Sequence, residues 1–149
     1  MSSSFPGKGV LLGVDFGQAR IGLARCDGLR MLASPLIILQ RKKNTSQDDA
    51  DCIISQMEKY QAVALVMGWP DEDDERTDSI RKLISRCLVL LEKKGIPLVR
   101  VSESFSSREA LELLHAVGKK KKPGQYIDDW AAAVILQRYL DFPDEYIKT

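Results

Sequence analysis

Gly9-Val-Leu-Leu-Gly-Val-Asp15, a short apolar run closed by a carboxylate and followed by Phe16-Gly17, decides the fold class of this chain. An unbroken apolar run of this length bounded by turn chemistry suits a strand covered on both faces, and so central in its sheet. Two further runs follow, Arg20 to Cys26 and Arg30 to Leu39, separated by Asp27-Gly28, a strong hairpin signal. The three segments read as an antiparallel meander. Pro35 has no amide to donate, so the third strand belongs at an edge or carries a bulge there. Beyond the polar run Arg41 to Ser46 the period changes to that of a helix, with Ala50, Ile53, Ile54 and Met57 on one face and Ser46 and Asp49 placed as cap and third residue.

Downstream, Gln61 to Gly68 is again a buried-strand run, and Ile80, Leu83, Ile84, Cys87, Leu88 and Leu91 form a helical stripe that stops before Gly95. Pro97 to Val101 reads as a strand, Ser106 and Glu109 as the capping box of a third helix ending at Gly118, and Tyr126 to Asp141 as a last helix. The order β-β-β-α-β-α-β-α-α predicts an α/β domain. Its mixed five-stranded sheet joins the meander to two helix-linked parallel strands and is flanked by helices. We assign residues 1–8 and 143–149 to tails and 9–142 to a single domain.

With 149 residues and 44% hydrophobic content the chain can bury a core of its own, roughly 68 to 70% of its unfolded surface. Net charge is +1, from 22 Lys plus Arg against 21 Asp plus Glu, which excludes a globally basic coat and requires any polyanion to be gripped by a local patch. Cys26, Cys52 and Cys87 are odd in number and widely spaced, as in neither a disulfide framework nor a zinc site, and point to a reducing cytoplasm. No apolar run approaches the ~18 residues of a membrane span, and Met1 to Lys8 lacks a signal peptide's apolar region. A soluble cytoplasmic protein is expected.

Asp15 ends the most apolar strand and shares a face with Gly13, whose missing side chain leaves space above the sheet. A carboxylate there is costly without a partner, although an Asp opening a turn is an equally good reading of the residue alone. In the last helix Asp128 falls about 40° from the centre of the apolar side and so points toward the sheet. Glu103 lies just past a strand end. Two strand ends and a helix start can bring Asp15, Glu103 and Asp128 together. Clustered carboxylates repel unless a cation neutralises them, and hard oxygen donors favour Mg²⁺ or Mn²⁺. Such an ion would hold phosphate oxygens and lower the pKa of an attacking water. Lys119, Lys120, Lys121 and Lys122, just before the Asp128 helix, form a basic loop able to grip phosphates, a patch that Arg20, Arg25 and Arg41 to Lys43 could extend. His115 and the acidic run Asp71 to Glu75 read as solvated surface.

The segments L-G-V-D-F-G-Q-A-R-I-G-L-A-R-C-D (Leu12 to Asp27), A-S-P-L (Ala33 to Leu36), M-G-W-P (Met67 to Pro70) and I-D-D-W-A-A-A-V-I-L-Q-R-Y-L-D (Ile127 to Asp141) resemble, in this order, the YqgF family. These are pre-16S ribosomal RNA nucleases, also described as Holliday junction resolvase-like, on an RNase H-like fold. The resemblance implies that fold and a metal-dependent nuclease acting at the 5′ end of precursor 16S rRNA. Asp15 and Asp128 match the acids of its first strand and last helix. Glu103 matches the Glu of the family's D-E-R-x-T-T segment, which here reads Ser102-Glu103-Ser104-Phe105-Ser106-Ser107, without the flanking Asp and Arg. By the resemblance, the loss of that Arg removes a phosphate contact or an acid's partner and bears on both activity and substrate choice. Structured RNA or branched DNA is the implied partner of a monomer or weak homodimer. A DNA junction resolvase would work as a dimer, because a four-way junction needs two symmetric cuts. A catalytically weak nucleic-acid-binding member is the third reading.

Overall fold

The computed structural model describes residues 8–17, 20–41, 46–69, 75–102, 130–143 and 147–148. Within them a mixed sheet is built from β1 (Leu11–Phe16), β2 (Arg20–Cys26), β3 (Ala33–Gln40), β4 (Ala64–Trp69), β5 (Leu98–Ser102) and a two-residue β6 (Ile147–Lys148). The strand order is β3-β2-β1-β4-β5-β6. The meander pairs antiparallel, whereas β1-β4 and β4-β5 are parallel, so the five expected strands take the expected senses. β6, which pairs antiparallel with β5, falls in the stretch expected to be a tail.

Alternation sorts the strand residues onto two faces. Leu12, Val14 and Phe16 of β1 join Ile21 and Leu23 under helices α1 (Ser46–Lys59) and α2 (Glu75–Lys94). Leu11, Ala24, Cys26, Val66 and Val99 pack on the other face against the last helix, α3 (Ala131–Asp141). Each face therefore has its own core, which is why β1 lacks polar positions until Asp15. The third helix expected after Ser106 lies outside the described residues, as do 126–129 of the last one.

Gly13 is where α3 comes closest to the sheet: a side-chain carbon there would stand 2.8 Å from Leu136 Cβ and 2.9 Å from the Ala132 carbonyl oxygen. Gly22 is roomier, its nearest neighbours being Ile38 Cδ1 at 3.5 Å and Ala132 Cβ at 3.7 Å. In urea denaturation Gly13→Ala is therefore expected to cost ~1 to 3 kcal/mol by overpacking, and Gly22→Ala clearly less. Equal losses would show that α3 does not press on β1.

One local reading is corrected. β3 starts only at Ala33, because Asp27 builds a longer turn: its carbonyl accepts from Arg30 N at 3.0 Å, and Oδ1 accepts from Met31 N at 3.1 Å and Leu32 N at 3.4 Å. Arg30 takes φ 58°, the left-handed region, to make that turn. Pro35 behaves as its missing amide requires: β3 is an edge strand, and its register with β2 slips as Leu23 faces Ile37 and Ala24 faces Pro35. Gln137, on the side of the last helix away from its apolar stripe, is half-buried; its Oε1 accepts from Ala33 N at 2.8 Å and its Nε2 donates to Met31 O at 3.3 Å. It thereby caps the start of β3.

All three cysteines are free; Cys26 and Cys87 are buried and Cys52 is exposed. Burial, reinforced by the charge of Asp49, pushes the Cys87 thiol up to about 12. Burial also raises Cys26, against the opposing effect of the Leu11 N–H that it accepts at 3.3 Å. The thiolate is the reactive form, so a disulfide exchange reagent at pH 8 should titrate one thiol per native chain quickly and all three only after denaturation. Fast reaction of a second thiol would mean that one of the two cores is open.

Candidate active site

Asp15 is the fifth residue of β1 and half-buried, on the face that carries α3. It pairs across the antiparallel ladder with Gly22, where an added side-chain carbon would meet Ala132 Cβ at 3.7 Å and Asp15 Cβ at 3.9 Å. The carboxylate thus stands at the C-terminal end of the central strand, beside the beginning of α3. Gly13 and Gly22 flank it on two strands, one letting the helix approach and the other leaving room at its side. The first turn of α3 brings the positive end of a helix dipole to that region, which lowers the cost of holding a negative charge there.

The parallel pairing of β1, β4 and β5 puts the C-terminal ends of these strands at the same edge of the sheet. β5 is two strands from β1, a lateral step of about 10 Å at normal strand spacing. Ser102, its last residue, immediately precedes Glu103 in sequence, and Trp130, 2% exposed in the α3-side core, follows Asp128 by two. Glu103 and Asp128 themselves, with Lys119, Lys120, Lys121 and Lys122, lie outside the described residues. Among the described residues no three His, Cys, Asp or Glu side chains gather as a metal site. Of the expected donors the described structure supplies Asp15. Its surroundings fit a hard cation: the donor is a carboxylate oxygen, and the cross-strand neighbour Gly22 puts no side chain beside it.

Arg20 opens β2 opposite Gln40, half-buried, and alternation puts it on the face of Gly22 and Asp15. Arg25 is exposed, but its guanidinium lies 4.9 Å from the centroid of the Tyr60 ring, at the far end of β2 from Asp15. Arg41 departs most from its expected role as part of a basic surface patch. Its side chain is 6% exposed; Nε donates to Asp49 Oδ2 at 2.9 Å and Nη1 donates to the Gly17 carbonyl at 3.1 Å. Asp49, read as a capping-box residue, is the buried acceptor of that bond. Sequence reasoning missed the pair because both residues sit among polar neighbours that look solvated. The one available signal was that Asp49 shares the buried side of α1 with Ile53 and Ala50.

Residues 9–142 match the family model described as "RuvX: Holliday junction resolvase". The chain belongs to the RuvX family. Among curated relatives, a protein of Syntrophus aciditrophicus named "Putative pre-16S rRNA nuclease" is 36% identical over 135 residues, covering 88% of this chain and 87% of the relative. One of the same name from Zymomonas mobilis is 34% identical over 143 residues, covering 93% and 84%. RuvX membership agrees with the YqgF resemblance seen in the motifs. Of solved structures, RuvC of T. thermophilus in complex with a Holliday junction substrate superposes with a TM-score of 0.68 at 14% identity, covering 95% of this chain and 99% of that one. A Fowlpox virus resolvase bound to Holliday junction DNA gives 0.56 at 8% identity, covering 91% and 99%. At such identities the likeness is one of fold, and it is the RNase H-like fold of RuvC-type resolvases.

Proposed function

We propose that this RuvX-family chain is a nuclease that hydrolyses phosphodiester bonds with a divalent cation, Mg²⁺ or Mn²⁺, held by Asp15, Glu103 and Asp128. The observation that carries this reading is the half-buried Asp15 at the C-terminal end of the central strand, beside the start of α3 and on the sheet edge where β5 also ends. The bound ion would neutralise the crowded carboxylates and polarise the phosphate. The chain's own residues have three tasks. The carboxylates would fix the ion, Arg20 with Lys119, Lys120, Lys121 and Lys122 would hold the sugar-phosphate backbone, and Gly22 keeps the side of Asp15 free of a side chain. Phosphate contacts of this kind position a strand without reading its sequence.

The names of the curated relatives favour precursor 16S rRNA as substrate. Processing at its 5′ end, in the cytoplasm and by a monomer or weak homodimer, is part of the same proposal. The family description and the DNA complexes of the structural neighbours favour a second substrate, a four-way DNA junction, which would require a dimer for paired cuts. No helix of the described residues is long and apolar enough to cross a membrane.

Cleavage of end-labelled precursor 16S RNA and of a synthetic four-way DNA junction should be measured side by side with Mn²⁺, Mg²⁺ or EDTA. Metal-dependent cuts at the RNA 5′ region, with the junction intact, are expected. Junction cleavage by a dimer would replace the RNA reading. Binding of either substrate without cleavage in any metal would reduce the chain to a binding module, the outcome that the altered Ser102 to Ser107 segment makes worth testing.

A further inference from the structure

Arg41 joins three segments that the chain brings together from different places. It follows β3, its Nε reaches Asp49 in the first turn of α1, and its Nη1 reaches the carbonyl of Gly17, the second residue after Asp15. The turn it grips is tight: Gly17 N donates to Arg20 O at 2.9 Å, and a side-chain carbon on Gly17 would stand 2.5 Å from that oxygen. That turn links Asp15 to Arg20, the acid and the base that share a face at this end of the sheet.

We propose that Arg41, oriented by Asp49, is a positioning residue for Asp15: by fixing the Gly17 carbonyl it sets where the Asp15 carboxylate stands. The inference rests on the nuclease reading and adds to it a residue that touches neither ion nor substrate. A buried ion pair is a poor way to gain stability, since apolar side chains of similar volume serve as well or better, so its retention here asks for a geometric reason. The geometry supplies one. A planar guanidinium can bond two acceptors on separate segments in fixed directions, which a single flexible ammonium cannot do. Side-chain exposures of 6% and 9% for Arg41 and Asp49 also leave the guanidinium poorly placed to serve as a phosphate grip.

The test is Arg41→Lys in the full chain, which keeps the charge beside Asp49 and loses the fork. With Mn²⁺ and a cleavable nucleic acid, kcat is expected to fall ~10- to 100-fold, the scale of a misplacement near 1 Å. KM should stay within about twofold, because ground-state binding is untouched. The melting temperature should stay close to that of the parent. Calorimetric titration with Mn²⁺ alone should show weaker binding, and in an Asp15→Asn background Arg41→Lys should weaken it no further, since the two act through one carboxylate. A raised KM at constant kcat would make Arg41 a substrate contact, and a loss of activity matching the loss of folded protein would make it purely structural; either overturns the proposal. If Arg41→Lys does not fold, Asp49→Leu, which takes away the acceptor that orients the guanidinium, must give the same drop in kcat per folded protein, and parental kcat there is equally fatal. Intact Mn²⁺ binding and cleavage in Asp15→Asn would sink the nuclease reading itself. Their loss in Asp15→Asn beside a normal Arg41→Lys would sink the positioning role alone.

Discussion

Asp15→Asn should lower metal-dependent cleavage by at least about 100-fold, because even groups that only orient a metal ligand are worth ~10- to 100-fold and a direct ligand more. The substitution keeps the shape of the side chain, so β1 and its ladder to Gly22 stay in place. It also removes one negative charge from a site expected to hold three, so in EDTA the variant should melt at or above the parental temperature. Asp128→Asn should behave in the same way. The two measurements must be made together. A variant that unfolds while its folded fraction keeps full specific activity would identify Asp15 as the opener of the β1-β2 turn and nothing more.

The second large effect is on stability. Arg41→Ala leaves the Asp49 carboxylate buried without its guanidinium, and removing one partner of a buried pair typically costs ~3 to 5 kcal/mol. That is a large share of the ~5 to 15 kcal/mol that holds a domain of this size together. The double change Arg41→Met with Asp49→Leu removes both charges and should recover most of the loss, because the penalty lies in a buried charge that has lost its guanidinium. Chemical denaturation of the three proteins checks this. A loss in Arg41→Ala below ~1 kcal/mol would mean that water reaches Asp49 and that the pair behaves like a surface one. Arg41→Lys, used above for its kinetics, should sit close to the parent on this scale, which separates the stabilising role of the charge from the positioning role of the fork.

The strands and helices were legible wherever one pattern dominated a segment. The unbroken run Leu11 to Val14 suited a strand enclosed on both sides, and the structure encloses it between two cores. Asp15 was legible for the same reason, as a charge that alternation forces onto the Gly13 face. Legibility failed where a side chain, not the backbone period, decided the outcome. Asp27 turned the expected tight hairpin into a longer loop by accepting two amides, a competition between side chain and ladder that dipeptide statistics do not register.

By itself, then, the amino-acid order determined the element types, the central place of β1, the weakness of β3 at Pro35 and the family, because all of these follow from spacing over a few residues or from motifs kept in order. Tertiary structure alone decided that Gln137 caps a strand 104 residues away, that Arg41 abandons the surface for Asp49 and Gly17, and that Ile147–Lys148 joins the sheet. Such contacts depend on which groups meet once the two cores have closed, and a polar residue carries no local mark of whether its partner will be water or a buried carboxylate.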